Sequence, residues 1–138
     1  MIATHPVLEQ RPRRVLVVDD ERHVRFMLCD VLTHWGCEAD AATSAADGLE
    51  RLTPGAYDVL LTDFGMPGMN GIELVERARA RDGALRVIML TASGADLGPA
   101  ARRLDFTLPR KPFDLSRLKT ALAAETAALA VETAQPLR

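Results

Sequence analysis

The stretch RVLVVDDERH, residues 14–23, places four apolar residues directly before three acids. The run from Val15 to Val18 has the continuous apolar character of a strand that is buried on both faces of a sheet. Adjacent carboxylates repel one another and favour water, so acids at the end of a buried strand are costly. The carboxyl end of a parallel strand, where α/β proteins bind ligands, is the position that would explain this cost.

Apolar runs of the same kind recur along the chain and alternate with segments of helical spacing. The predicted strands lie at 14–18, 37–42, 57–63, 86–90 and 105–110, and the second and fifth are weak. The predicted helices lie at 21–35, from 43 or 44 to about 52, from 70 or 71 to about 82, at 96–103, and from 114 to about 131. Ser44 or Thr43, Asn70 or Gly71, and Asp114 are the predicted caps.

This alternation predicts a single doubly wound α/β domain, with five parallel strands and helices on both faces of the sheet. We expect a flexible lead-in at 1–12, the domain at 13–133 and a tail at 134–138. The net charge of −2 gives no general reason to expect nucleic-acid or membrane binding. No signal peptide or membrane span is evident, and the two cysteines are expected to be reduced, buried thiols of a cytoplasmic protein.

Polar residues follow four of the predicted strands at the point where each strand ends. Asp19 and Asp20 come after the first strand, and Asp63 ends the third. Thr91 follows the fourth strand, and Lys111 follows the fifth. Because parallel strands end at the same edge of a sheet, we expect these five side chains on one rim.

The residue types on this rim favour one chemistry. Three nearby carboxylates call for a cation, and hard oxygen ligands suit Mg²⁺. A lysine and a hydroxyl group beside them would complete a site for a phosphoryl group, with Asp63 as the nucleophile. Taken singly, each residue has an ordinary alternative: Asp20 as a helix cap, Asp63 as a turn residue, and Thr91 and Lys111 as surface groups.

Four strings, VLVVDDE, DVLLTDFGMPGMNG, VIMLTA and RKPF, resemble the receiver domain of two-component response regulators, in the right order and over nearly the whole chain. The resemblance implies the flavodoxin-like receiver fold of five parallel strands. It also implies that Asp63 accepts a phosphoryl group from a histidine kinase or a histidine phosphotransfer protein. Beyond that phosphotransfer and slow self-dephosphorylation, it implies no enzymatic activity.

The resemblance also assigns roles to residues around Asp63. Asp20, Asp63 and the backbone carbonyl of Gly65 would bind Mg²⁺, with Asp19 acting through a water molecule. Thr91 and Lys111 would contact the phosphoryl group. Pro112 would follow a cis peptide bond.

The chain departs from the family pattern in the region before Lys111. The family often has an aromatic residue three positions before this lysine, where the chain has Leu108, with Phe106 two residues earlier. Phe106 is therefore a candidate switch aromatic, with a core residue as the alternative, and the fourth helix is expected to be reduced or disordered. Gly65 cannot position a water molecule, so we expect no help from this side chain in hydrolysing the phosphoryl group.

We expect a stand-alone receiver, acting as a phosphorylation-controlled binding switch or a phosphorelay shuttle. Arg22, His23 and Arg25 are candidate kinase-docking residues, with a plain solvated face as the alternative. The alanine-rich last helix is a candidate homodimer contact, with packing on the sheet as the alternative. The rival interpretations are a non-phosphorylated adaptor and a receiver fragment of a hybrid histidine kinase. A hydrolase of the haloacid dehalogenase type is disfavoured because its DxDx[TV] motif is absent.

Overall fold

The computed structural model describes residues 12–91, 96–109 and 114–134, with side chains of the last helix described as far as 124. The strands are β1 (Arg14–Val18), β2 (Glu38–Ala42), β3 (Val59–Asp63) and β4 (Arg86–Leu90). The helices are α1 (Arg22–His34), α2 (Ala45–Arg51), α3 (Gly71–Arg81), α4 (Gly98–Leu104) and α5 (Leu115–Ala134).

The four strands form one parallel sheet in the order β2-β1-β3-β4. Val18 at the end of β1 pairs with Ala42 on one side and with Thr62 on the other. Asp63 at the end of β3 pairs with Leu90 at the end of β4. The carboxyl ends are therefore level, and the strand order reverses between β1 and β3, where ligands bind in such sheets.

The predicted fifth strand is reduced to a single parallel bridge between Ile88 and Thr107 within the described residues. Thr107 donates to the carbonyl of Val87 at 2.8 Å, and Met89 donates to Thr107 at 2.9 Å. The strand cannot begin at residue 105, because Asp105 ends α4 in the left-handed conformation with φ of 59°. Pro109 has no backbone N–H to donate, so it cannot complete a ladder.

Alternate residues of the strands face two separate cores, as the uninterrupted apolar runs predict. One core lies under α2, α3 and α4 and includes Leu16, Leu60 and Leu74. The other lies under α1 and α5 and includes Val17, Leu61 and Leu118. Helices thus cover both faces, which confirms the doubly wound three-layer α/β architecture.

Side chains cap three of the helices at predicted positions. Ser44 Oγ accepts from the N–H of Asp47 at 3.1 Å at the start of α2. Asn70 and Glu73 form a reciprocal capping box at the start of α3. Asp114 Oδ1 accepts from the N–H of Arg117 at 2.9 Å at the start of α5.

The two cysteines differ in part from the sequence expectation. Cys29 and Cys37 are free thiols, as expected, but both side chains are half-buried rather than buried. Cys29 lies on α1 and Cys37 in the turn before β2, and both are partly buried against a core.

Among the described residues, no helix is both long and apolar enough to cross a membrane.

Candidate functional site

Three carboxylates converge beyond the carboxyl ends of β1 and β3. Asp19 and Asp20 directly follow β1, and Asp63 is the last residue of β3. One carboxylate oxygen from each of the three lies within 4.8 Å of the other two. The sheet register produces this cluster, because Val18 pairs with Thr62 and the next residue in each case is an acid, Asp19 after Val18 and Asp63 after Thr62.

Asp19 is the most buried acid of the cluster, with 8% of its surface exposed. Its Oδ1 accepts from the N–H of Glu21 at 2.8 Å, which turns the chain into α1. Burial raises the pKa of Asp19, and the charges of Asp20 and Glu21 add to the rise, while the Glu21 N–H and Arg25 oppose it. Asp20 is exposed, and its side chain does not cap α1.

Asp63 is half-buried at the centre of the cluster. Burial raises its pKa, and the charges of Asp19 and Asp20 raise it further, while the N–H groups of Phe64 and Gly65 hydrogen-bond to the carboxylate and oppose the rise. A raised pKa means that the negative charge on Asp63 lacks compensation from the described protein groups alone.

The donor set fits a hard divalent cation. Mg²⁺ prefers oxygen ligands, uses one or two carboxylates and keeps several water ligands. The cluster offers one exposed carboxylate (Asp20), one half-buried carboxylate (Asp63) and one buried carboxylate (Asp19) around a common point. Burial is the main cause of the raised pKa of Asp19 and of Asp63, and a cation at this point would also remove the repulsion between acids that adds to it.

Thr91 lies at the same rim. It follows Leu90, which pairs with Asp63 and accepts from the N–H of Phe64 at 3.3 Å. Thr91 is half-buried and has an interaction partner in the structure. Lys111 and Pro112 lie outside the described residues, so their predicted roles stay predictions.

The loop after β3 leaves open space beside the acids. Gly65 is exposed, and a Cβ atom placed on it would have no heavy atom within 4 Å. Met66 turns into the core, with 7% of its surface exposed, and so anchors the loop. Gly68 has φ of +77°, a conformation that favours glycine. The loop thus passes Asp63 without placing a side chain from residue 65 over it.

The candidate docking residues on α1 differ in their surroundings. Arg22 and His23 are exposed, and the Arg22 guanidinium lies over the ring of Phe26, 5.3 Å from its centre. Phe26 is itself 64% exposed. Arg25 is half-buried, and its Nη1 donates to the backbone carbonyl of Asp19 at 2.9 Å. Arg25 therefore supports the acidic turn, whereas Arg22 and Phe26 form an open surface.

Phe106 is buried, with 7% of its surface exposed, in the core beneath α3 and α4. Leu108, at the family's aromatic position, is only partly buried and packs against the same core. The placement of Phe106 favours the alternative that it is a core residue.

Sequence reasoning missed two residues that contact the backbone of Asp63. Thr62 is 1% exposed, and its Oγ1 donates to the carbonyl of Asp63 at 2.9 Å. Gly71, which the sequence marks only as a helix start, packs directly on the same carbonyl. The sequence signal that could have found Gly71 is a glycine directly after an asparagine cap, because most residue types are tolerated at this position and glycine is not required there.

Comparison with known proteins agrees with the geometry of the site. The family described as the response regulator receiver domain matches residues 15–123. The chain is 32% identical over 111 residues to sporulation initiation phosphotransferase F of Bacillus subtilis, covering 79% of this chain and 90% of that protein. It is 34% identical over 115 residues to the chemotaxis protein CheY of Thermotoga maritima, covering 80% of this chain and 94% of that protein.

Solved structures show the same fold. A CheY-like response regulator receiver domain protein from Methanospirillum hungatei superposes with a TM-score of 0.78 at 24% identity, covering 88% of this chain and 98% of that one. Other curated relatives are longer, and this chain spans between 10% and 50% of their length.

Proposed function

The chain belongs to the response regulator receiver domain family, and from this premise we propose that it accepts a phosphoryl group on Asp63. Receiver domains take phosphoryl groups from histidine kinases or histidine phosphotransfer proteins, and they use Mg²⁺ at an acidic pocket. For this chain the proposed metal ligands are Asp20, Asp63 and the backbone carbonyl of Gly65, with Asp19 acting through a water molecule.

One observation carries the proposal: the carboxylate of Asp63 meets those of Asp19 and Asp20 within 4.8 Å. Burial raises the pKa of Asp19 and of Asp63, and the charges of neighbouring acids raise both further, so a bound cation would relieve the repulsive part of this cost. A plain binding module needs no such arrangement at the end of a sheet, because repulsion of this kind only lowers its stability.

In the proposed reaction, a carboxylate oxygen of Asp63 attacks the phosphorus atom of a phosphohistidine. The new O–P bond forms as the N–P bond breaks, and the released imidazole nitrogen takes up a proton. When bound, Mg²⁺ supplies positive charge to the phosphoryl oxygens. The N–H groups of Phe64 and Gly65 orient the attacking carboxylate, and the Thr91 hydroxyl and Lys111 ammonium groups are proposed to bind the transferred group.

Incubation with acetyl phosphate and Mg²⁺, followed by intact-protein mass measurement, tests this function. We expect the unmodified chain to gain one phosphoryl group and Asp63→Ala to gain none. Asp82→Ala, which removes an acid at the far end of α3, is the matched control and should gain the group normally. Excess chelator should abolish the gain. A wild-type chain that gains nothing at saturating Mg²⁺ would overturn the proposal and favour a non-phosphorylated adaptor.

We further propose that the chain acts in the cytoplasm as a stand-alone switch or phosphorelay shuttle. Its support is the likeness to two relatives of which it covers nine tenths or more. The exposed surface around Arg22, His23 and Phe26 is the proposed contact for the phosphodonor protein, since it borders the acidic turn. The Arg22→Ala variant tests this contact. Slower phosphotransfer from a purified phosphotransfer protein to this variant, with a normal rate of reaction with acetyl phosphate, would support it.

The proposed homodimer rests on α5, whose alanine-rich sequence permits close helix approach. Leu118, Ala121 and Leu122 of this helix pack on the sheet, which is the alternative role of the helix. A dimer predicts that the apparent mass in solution rises with protein concentration. A constant monomer mass over a wide concentration range would remove it.

A further inference from the structure

The first residue of α3 lies against the backbone of the proposed phosphoacceptor. The N–H of Gly71 donates to the carbonyl of Phe64 at 2.8 Å. A Cβ atom placed on Gly71 would lie 2.3 Å from the carbonyl oxygen of Asp63 and 3.0 Å from the Cα atom of Phe64. Both distances are shorter than ordinary van der Waals contact, so no side chain fits here unless backbone atoms move.

The peptide group between Asp63 and Phe64 is the part of the backbone that holds the carboxylate in place. Its carbonyl accepts from Thr62 Oγ1 at 2.9 Å. Its N–H faces the Asp63 carboxylate and also the carbonyl of Leu90, 3.3 Å away at the end of β4. Any shift of this peptide group therefore changes the position of the carboxylate and the last contact between β3 and β4.

Helix α3 cannot easily move away to make room. The capping box of Asn70 and Glu73 keeps its first turn helical, so the turn does not readily unwind. Leu74 and Val75, one turn later, are fully buried in the core and hold the helix against the sheet. Because the first turn is fixed and the helix is packed in the core, a methyl group at position 71 would displace the Asp63 carbonyl more readily than the helix.

We propose that Gly71 is a positioning residue for phosphorylation: the lack of a side chain lets α3 hold the Asp63–Phe64 peptide group where the carboxylate faces Asp19 and Asp20. The proposal rests on the proposed function of Asp63 and adds a determinant of its rate. Gly71 itself touches neither the phosphodonor nor the cation. This role differs from that of a small residue that is needed only for packing in the core, because the contact of Gly71 is with the backbone of the nucleophile Asp63.

Two other glycines provide matched controls. Gly48 in α2 is also crowded, since a Cβ atom there would lie 2.8 Å from Cγ2 of Val18, but that neighbour is a side-chain methyl group. Gly83 has nothing within 4 Å of a Cβ position and has no positive φ. Gly48→Ala therefore reports the effect of crowding the core, and Gly83→Ala reports the effect of adding a methyl group alone.

The test measures the initial rate of phosphorylation by acetyl phosphate at saturating Mg²⁺, across donor concentrations, with the folded fraction of each variant taken from circular dichroism. We expect Gly71→Ala to lower the maximal rate per folded molecule by roughly tenfold to a hundredfold, because misplacement by about 1 Å costs that much. The half-saturating donor concentration should change little. Gly48→Ala and Gly83→Ala should keep the rate of the unmodified chain.

A second variant covers the case in which Gly71→Ala fails to fold. Thr62→Val keeps the shape of the buried side chain but removes the hydroxyl group that donates to the same Asp63 carbonyl. We expect it to lower the maximal rate, by a smaller factor than Gly71→Ala. The inference is overturned if Gly71→Ala reacts at the normal rate, or if Gly48→Ala slows the reaction as much as Gly71→Ala does. If Gly71→Ala does not fold, a normal rate in Thr62→Val overturns it. A wild-type chain that does not react at all would instead remove the proposed function.

Discussion

Asp19 directly follows β1 and Asp63 ends β3, yet a carboxylate oxygen of one lies within 4.8 Å of a carboxylate oxygen of the other at the end of the sheet. Each carboxylate is partly withdrawn from water, and the charge of Asp19 is the second largest cause, after burial, of the raised pKa of Asp63. The pair therefore costs stability, and a bound cation would offset part of this cost.

The first prediction concerns stability as a function of pH without Mg²⁺. A raised pKa means that the folded chain binds more protons than the unfolded chain in the pH range between the ordinary carboxyl value of 3.8 and the raised folded-state pKa. Asp19 therefore lowers stability as the pH rises through its folded-state pKa. We expect Asp19→Asn to raise the melting temperature at pH 7 by roughly 2–4 °C. The Asn side-chain oxygen can still accept from the N–H of Glu21.

Thermal melts over a pH series check this prediction. The gain from Asp19→Asn should shrink as the pH falls towards 3, where the carboxylate is protonated in both states. Asp82→Asn, outside the cluster, serves as the reference substitution. A gain that is equal at pH 3 and pH 7 would contradict the linkage.

The second prediction concerns Mg²⁺ itself. A cation that binds only the folded chain stabilises it by about 2.7 kcal/mol at a hundred times its dissociation constant. We expect Mg²⁺ to raise the melting temperature of the unmodified chain, and Asp20→Asn to reduce this rise because one exposed carboxylate is lost. Sodium chloride at matched ionic strength controls for screening. An equal rise in both proteins would exclude Asp20 as a ligand.

The third prediction concerns the lifetime of the phosphorylated chain. A Cβ atom on Gly65, two residues after Asp63, would have no heavy atom within 4 Å, and a side chain with hydrogen-bonding groups there could hold a water molecule for attack. We expect Gly65→Asn to shorten the lifetime of the acyl phosphate by roughly tenfold. The decay of the phosphorylated mass after removal of the donor measures it. Gly83→Asn, at an open turn, is the control, and an unchanged lifetime in Gly65→Asn would refute the role of this position.

The fourth prediction concerns the link between α3 and α4. The guanidinium of Arg79 donates to the carbonyls of Leu104 at 3.0 Å, Asp105 at 2.6 Å, and Leu85. Arg79→Met would leave these carbonyls without their charged donor, so we expect a loss of about 1–3 kcal/mol of unfolding free energy. Urea unfolding measures the loss. Arg77→Met, at an exposed position of the same helix, should change it by less than about 0.5 kcal/mol.

Local sequence patterns sufficed for the strands that carry the site. Val15 to Val18 and residues 59–61 are apolar on both faces, so their burial and parallel pairing follow from composition alone. The level ends of these strands then determine that Asp19 and Asp63 meet. The caps at Ser44, Asn70 and Asp114 were equally predictable, because such caps depend only on neighbouring residues.

Contacts between distant segments were not predictable in this way. The pattern at 105–110 suggested a strand, but Asp105 takes a left-handed conformation, and among the described residues this segment makes a single bridge, at Thr107. The hydrogen bonds from Arg79 to the carbonyls of Leu85, Leu104 and Asp105 join residues whose proximity the helical or strand periodicity of the sequence does not predict. The approach of Gly71 to Asp63 depends on where a whole helix docks, and no local pattern encodes that position.

The outer strand β2 also bears on how the protein behaves in bulk solution. An edge strand offers unpaired backbone groups that can template pairing with a foreign chain. β2 is only five residues long and carries two exposed acids, Glu38 and Asp40. A neighbouring molecule that approached along this edge would meet like charges in close succession. The acids at the tips of β1 and β3 form the proposed chemical site, whereas those on β2 would keep a concentrated sample from aggregating through its sheets.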